Sequence, residues 1–102
     1  GGRVVPTLDF TRGRGLEECA LGDADCATDR NGHGTSVASI AGGRTLGVAA
    51  GATMHAVKIL GDHGNGDIMW VASAIDWILR RGERPAVISI SMGGVARKAL
   101  RV

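Results

Sequence analysis

The sequence predicts an α/β fold in which a parallel sheet is flanked by helices. Segments typical of strands, at residues 1–10, 53–60 and 86–91, alternate with helical patterns that follow His33 and that cover residues 67–81. Residues 53–60 are apolar on both faces, which is typical of a parallel strand covered by helices. Alternation of strands and helices is the order that right-handed parallel crossover connections produce.

Length and composition limit the protein to one domain at most. The chain has 102 residues, of which 44% are apolar, so it can form a core, although a smaller one than a full-sized domain has. Its net charge is +2, its arginines are scattered, and only 3% of its residues are aromatic, so we expect no nucleic-acid partner. No apolar run approaches the roughly 20 residues that span a bilayer, so we expect no membrane partner.

The first third of the chain predicts a strand and a long loop. Pro6 interrupts the apolar residues of segment 1–10, so we predict an irregular edge strand. Residues 11–32 are polar and glycine-rich, and we interpret them as a surface loop leading to His33. The acidic residues of this loop are Glu17, Glu18, Asp23, Asp25 and Asp29. Their positions fit no calcium-ligand spacing, so we predict a solvated loop without a metal site.

The two cysteines of the chain, Cys19 and Cys26, lie in this loop with six residues between them. Zinc-binding cysteine pairs have a shorter spacing, so a zinc site is not indicated. A local disulfide that pins the loop is the favoured interpretation, and it would fit an oxidising compartment. Two free thiols, or bonds to cysteines outside this sequence, are the alternatives.

The second half of the chain predicts a strand, a loop and the clearest helix. On strand 53–60, His55 shares a face with Val57 and Ile59, so we interpret it as a packed or hydrogen-bonded core histidine. Residues 61–66 have loop composition. Helix 67–81 has charges that suit both its ends, and Gly82 ends it. Its predicted core stripe consists of Ile68, Val71, Ala72, Ile75, Ile78 and Leu79, with Trp70 and Trp77 at the border.

His33 lies between two glycines, directly before the apolar residues of a short, buried helix that the glycine pair 42–43 ends. A histidine held rigidly at this position can act as a general base, because its ordinary pKa of about 6.5 is near neutral pH. Considered alone, however, such a histidine is more often a helix cap or part of a core.

The surrounding motifs favour the catalytic interpretation. Residues 29–38, with the sequence DRNGHGTSVA, resemble the histidine motif of the subtilisin-like serine proteases (peptidase S8), and of their proteinase K-like branch in particular. Residues 57–60 with 64–66 resemble the family's next strand and glycine loop, and residues 87–94, VISISMGG, resemble its substrate-binding strand. Residues 45–49, which lie between the histidine motif and residues 57–60, are also similar to the family, and all these motifs come in the family's order.

The resemblance implies a subtilisin-like three-layer fold and a serine endopeptidase in which His33 is the general base. It also implies export from the cell and a chemistry that needs no cofactor, with structural calcium as an option of the complete domain. Lys58 matches a structural lysine or arginine of the family. The residues that match the substrate-binding segments are Gly64, Asn65, Gly66, Ser91, Met92, Gly93 and Gly94.

Two motifs of the family are missing from the sequence. It contains neither the Asp-Ser/Thr-Gly motif of the catalytic aspartate nor the Gly-Thr-Ser-Met-Ala motif of the nucleophile. Asp9 lacks the following glycine and lies too near His33, so we interpret it as a strand-end or turn aspartate. We therefore expect residues 1–102 to be one part of a protease domain. This part should be inactive alone and should need the remainder of the domain for activity. The alternative is a catalytically dead pseudoenzyme or a peptide-binding module.

Overall fold

The computed structural model describes residues 4–93, which form a three-stranded sheet and two helices. The elements in chain order are β1 (Val4–Asp9), β2 (Glu17–Glu18), α1 (His33–Gly42), β3 (Met54–Lys58) and α2 (Ile68–Arg81). The strand order is β2-β1-β3, with β2 antiparallel and β3 parallel to β1. The chain is therefore a mixed α/β fold, and α1 lies in the connection between its two parallel strands.

Strand β1 was predicted at an edge, but among the described residues it is the central strand of the sheet. An irregularity in its pairing accommodates the proline. Pro6 is opposite Ala56, whereas Leu8 is opposite Val57, so Thr7 is an extra residue in the ladder. The missing N–H group of Pro6 therefore falls where regular pairing is already interrupted.

The predicted helix at 67–81 is confirmed as α2. The side chain of Asp67 caps its start by accepting a hydrogen bond from the main-chain N–H of Met69 (2.8 Å). At its end, the N–H of Gly82 donates to the carbonyl of Ile78 (2.8 Å). Neither helix of the described part combines the length and the hydrophobicity of a membrane-spanning helix.

The core lies between α2 and the sheet, and it differs from the predicted stripe. Leu8, Phe10 and Ala74 are buried together, and Trp70 and Trp77 pack against them. The rings of Phe10 and Trp70 are stacked, with centroids 6.3 Å apart. Two residues of the predicted stripe, Ala72 and Leu79, are instead exposed. The helix faces the sheet with its two tryptophans because these large side chains remove the most apolar surface from water.

Helix α1 was predicted to be buried, but Gly42 is its one buried residue, and Ile40 is 69% exposed. Gly42 packs against Met54 of β3, where an added Cβ would lie 2.9 Å from the sulfur. Glycine at this position therefore allows the helix to approach the strand. Of the other apolar residues of α1, Val37 and Ala38 are half-buried, whereas Ile40 and Ala41 are exposed.

The predicted strand at 86–91 is not present in the structure. Residues 86–93 have no regular secondary structure and all are exposed, with Val87 96% exposed. A strand persists when a neighbouring strand exchanges backbone hydrogen bonds with it, and none does so here within the described residues. The sequence from residue 95 to residue 102 also resembles the beginning of a helix, and these residues lie outside the described part of the chain.

Candidate active site

His33 is the first residue of α1, as predicted, and its side chain is exposed. The preceding Gly32 has a φ of 100°, a left-handed conformation that favours glycine. The main-chain N–H of His33 donates to Oδ1 of Asn31 (3.3 Å). The histidine is thus held at the start of a helix by a turn that depends on the glycine before it.

Asp29 organises this turn. Its Oδ1 accepts hydrogen bonds from the main-chain N–H groups of Asn31 (3.0 Å) and Gly32 (2.8 Å). Its Oδ2 accepts from the N–H (2.8 Å) and the hydroxyl (2.6 Å) of Thr35. These bonds, that from the Thr35 hydroxyl above all, hold the pKa of Asp29 well below its ordinary value. Asp29 therefore satisfies N–H groups at the start of α1 and is not one of the solvated acids we predicted.

Replacing Asp29 by alanine should lower the free energy of unfolding by about 1–2 kcal/mol, as the loss of a helix cap does. Asp29→Asn, which keeps one acceptor oxygen, should lose less. Because folding lowers the pKa of Asp29, its charge stabilises the protein above the ordinary carboxyl value of 3.8, and this contribution declines as the pH falls through the folded value. Urea denaturation at several pH values measures both effects; a variant as stable as the parent protein at neutral pH would contradict the assignment.

The imidazole of His33 contacts the segment that we predict to bind substrate. Its Nε2 lies 2.7 Å from the carbonyl oxygen of Ser91, a residue 58 positions further along the chain. Ser91, Met92 and Gly93 are all exposed. The structure thus brings the candidate base together with the first residue of the predicted Ser-Met-Gly-Gly segment, whose last residue, Gly94, lies outside the described residues.

This contact has a consequence for the protonation of the ring. A carbonyl oxygen can only accept a hydrogen bond, so the contact requires a proton on Nε2 of His33. A histidine that takes a proton from a nucleophile through Nε2 must first have that nitrogen free. Before His33 can act as a base through Nε2, the bond to Ser91 must therefore break and the proton must leave Nε2, with Nδ1 carrying the ring proton instead.

The predicted glycine loop is connected to the histidine motif. Within it, the N–H of Gly61 donates to the carbonyl of Asn65 (2.7 Å), and Gly64 has a left-handed φ of 81°. The side-chain amide of Asn31 donates to the carbonyl of Asp62 (2.9 Å). Residues 64–66 are exposed. They lie in a loop that the Asn31 amide connects to the turn before His33.

Lys58 joins the same two loops. Its ammonium group donates to the carbonyl of Thr28 (2.5 Å) and to the carboxylate of Asp62 (2.7 Å). The hydrogen bond from Lys58 lowers the pKa of Asp62. Lys58 therefore has the contacts of a structural residue. His55, on the same strand, is exposed rather than in the core, and its Nδ1 lies 3.0 Å from the hydroxyl of Thr7.

Asp9 is a buried carboxylate at the end of β1, in agreement with its interpretation as a strand-end or turn residue. It is 2% exposed. Its Oδ1 accepts from the N–H (2.8 Å) and the hydroxyl (2.7 Å) of Thr11, and its Oδ2 accepts from the N–H of Ala27 (2.8 Å). Both oxygens are therefore used to connect β1 with the loop that precedes His33.

Several acidic side chains of the loop at residues 11–32 form hydrogen bonds with other side chains, which differs from the solvated loop that we predict. Arg12 forms two hydrogen bonds to Asp23 (2.7 and 3.0 Å) and one to Glu17 (3.2 Å). The hydrogen bond from Arg12 lowers the pKa of Asp23 to about 2. Glu18 accepts hydrogen bonds from Trp77 of α2 (2.7 Å) and from Arg81 (3.0 Å). Across residues 4–93, no group of three or more histidine, cysteine or acidic side chains is arranged to hold a metal ion.

The favoured disulfide between Cys19 and Cys26 is confirmed, with the two Cα atoms 5.6 Å apart. Cys26 is 1% exposed, so the bond anchors the loop to the interior. Together with Arg12 and Asp9, it orders the segment that leads from the sheet to His33.

Comparison with known proteins agrees with the resemblance seen in the motifs. The model of the subtilase family (Peptidase_S8) matches residues 7–100, so the chain belongs to this family. It is 42% identical over 99 residues to an extracellular serine proteinase of Thermus sp. (strain Rt41A), a match that covers 97% of this chain and 24% of that protein.

Two further relatives have related names. The chain is 37% identical over 100 residues to alkaline serine exoprotease A of Vibrio alginolyticus, which covers 98% of this chain and 17% of the relative. It is 45% identical over 78 residues to the subtilisin-like serine protease Pen c 1 of Penicillium citrinum. This match covers 72% of this chain and 20% of the relative. The chain thus spans about a quarter or less of the length of these relatives.

Proposed function

We propose that this chain is the histidine-bearing part of a subtilisin-like serine endopeptidase, of the proteinase K-like branch, which hydrolyses peptide bonds in proteins. The observation that supports this most is the 2.7 Å contact between Nε2 of His33 and the carbonyl of Ser91. It joins the candidate base to the candidate substrate-binding segment. The proteinase names of the relatives support the same activity.

In the proposed mechanism, His33 takes the proton of a serine hydroxyl as that oxygen attacks the peptide carbonyl, and then passes the proton to the leaving amine. The serine and the aspartate that orients the imidazole belong to other parts of the protease domain. The substrate backbone lies along two segments of this chain. Their residues are Gly64, Asn65 and Gly66 in one, and Ser91, Met92, Gly93 and Gly94 in the other.

The remainder of the protease domain is the proposed partner of this chain. It would complete the three-layer fold and cover side chains such as Ile40 and Val87, which are 69% and 96% exposed. The chemistry uses protein groups alone and requires no cofactor. We place structural calcium elsewhere in the complete domain, because Arg12 and main-chain N–H groups already bind the carboxylates of Asp23 and Asp29. We place the enzyme outside the cell, as the name of the Thermus relative states for that protein.

The test begins with the source transcript, which should encode an Asp-Ser/Thr-Gly motif upstream and Gly-Thr-Ser-Met-Ala downstream. The protein translated from it should react with a fluorophosphonate that labels active-site serines, whereas the 102-residue chain alone should not react. A parent protein that has lost either motif and remains unlabelled would be a pseudoenzyme or a peptide-binding module. Labelling of the isolated chain would contradict the proposed division of the catalytic residues.

A further inference from the structure

The chain contains two Asn-Gly dipeptides, Asn31-Gly32 before α1 and Asn65-Gly66 in the glycine loop. All four residues are exposed, so access to water does not distinguish the two pairs. An asparagine before glycine is prone to deamidation, because glycine has no Cβ to shield its nitrogen or to restrict the backbone. We propose that Asn65 is a site of spontaneous deamidation and that the fold protects Asn31.

The reaction requires a particular attack within the dipeptide. The main-chain nitrogen of the glycine loses its proton to solvent base and forms a bond to Cγ of the asparagine. The bond from Cγ to the side-chain nitrogen breaks, and ammonia leaves with the proton returned from solvent. Water then opens the cyclic imide at either carbonyl and leaves aspartate or isoaspartate. One water is consumed, one ammonia is released, and nothing is oxidised or reduced.

Both reacting groups of Asn31-Gly32 are engaged in hydrogen bonds. The side chain of Asn31 accepts from the N–H of His33 (3.3 Å) and donates to the carbonyl of Asp62 (2.9 Å). The nitrogen of Gly32, which would be the nucleophile, donates to the carboxylate of Asp29 (2.8 Å). A negative carboxylate at this distance opposes loss of the proton from that nitrogen. Cyclisation here requires several of these bonds to open first.

The groups of Asn65-Gly66 are not held in this way. Within residues 4–93, neither the side-chain amide of Asn65 nor the N–H of Gly66 forms a hydrogen bond, although the main-chain carbonyl of Asn65 accepts from Gly61 (2.7 Å). The Oδ1 atom of Asn65 lies close to the Cα of Gly61: a Cβ added to Gly61 would be 2.8 Å from this oxygen. Because a carbon atom donates no conventional hydrogen bond, this proximity does not fix the side chain. Among the described residues, the Asn65 side chain therefore has no hydrogen bond that must break before it turns toward the Gly66 nitrogen.

The test compares the two sites within one sample. The 102-residue chain is incubated in mildly alkaline buffer, digested, and analysed by mass spectrometry for the replacement of a side-chain amide by a carboxyl group. We expect Asn65 to react at least about tenfold faster than Asn31, because two or more hydrogen bonds must open at Asn31. In guanidinium chloride the two rates should be similar. Equal rates in native buffer, or a faster reaction at Asn31, would overturn the proposal.

Two variants separate the causes. Asp29→Asn removes the negative charge at the Gly32 nitrogen, and it should speed deamidation of Asn31 while leaving the rate at Asn65 unchanged. If both rates rise together to the value in guanidinium chloride, the variant has unfolded, and the native comparison in the parent chain decides the question. Asn65→Gln should remove the signal from that peptide. The outcome does not depend on the proposed protease activity, so either can fail without the other.

Discussion

If His33 is the base that we propose, replacing it by alanine in the complete protein should reduce kcat/KM for peptide hydrolysis by at least about 10⁴-fold, because the serine then has no group to accept its proton. The loss should appear mainly in kcat, since in the proposed mechanism His33 acts on the proton in the transition state and does not hold the substrate backbone. Steady-state hydrolysis of a chromogenic peptide, followed over a range of substrate concentrations, measures both constants.

His63→Ala is the matched control for this experiment. His63 is also exposed and lies in the loop at residues 61–66, but it forms no hydrogen bond with His33 or Ser91. Its replacement should leave both kinetic constants close to those of the unaltered enzyme. Equal losses in the two variants, or an active His33→Ala enzyme, would show that His33 is not the base.

Replacing Asp9 by alanine should lower the free energy of unfolding of the chain by about 3 kcal/mol, the cost of breaking a buried, hydrogen-bonded charge. Asp9 is 2% exposed, and its removal leaves the N–H groups of Thr11 and Ala27 without their acceptor. Because Phe10, the next residue, stacks on Trp70, tryptophan fluorescence during urea denaturation can follow the transition.

The control for Asp9 is Asp25→Ala. The Asp25 side chain is 80% exposed and 3.4 Å from Arg30, so the expected change in the free energy of unfolding is near zero.

Burial raises the pKa of Asp9, but hydrogen bonds from Thr11 and Ala27 and the charge of Arg12 outweigh it, and the pKa falls below 3.8. Its charge thus stabilises the chain above that pH and loses this effect as the pH falls through the folded value. Asp9→Asn should remove the dependence; equal losses at positions 9 and 25 would contradict the role of Asp9.

Features that depend on neighbouring residues were predictable from the sequence. Helix α2 was placed to within one residue, because its cap at Asp67, its apolar spacing and Gly82 are all local signals. The disulfide between Cys19 and Cys26 could also be predicted from the sequence, since a short loop keeps the two thiols close. A local signal for Asp29 existed as well, because aspartate shortly before a helix start is a common cap, but the prediction grouped it with the solvated acids.

Features that depend on distant residues were not predictable in this way. The contact of Lys58 with Thr28 spans 30 positions, and that of His33 with Ser91 spans 58. No periodicity indicates such pairs. The buried face of α2 was misplaced for a related reason: both the predicted stripe and the face with Trp70 and Trp77 have helical spacing, and only packing against Phe10 and Leu8 distinguishes them.

By itself, the sequence determined the family, the α/β class, the helices and the position of His33 at a helix start, because motif order and periodicity are properties of contiguous residues. The tertiary structure decided which segments pair. It placed β1 at the centre of the described sheet and gave residues 86–93 no partner strand among residues 4–93. Apolar β-branched residues favour a strand, but a strand forms only where another backbone supplies its hydrogen bonds. Which backbone lies beside a given segment is decided by the assembled fold and not by the segment's own residues.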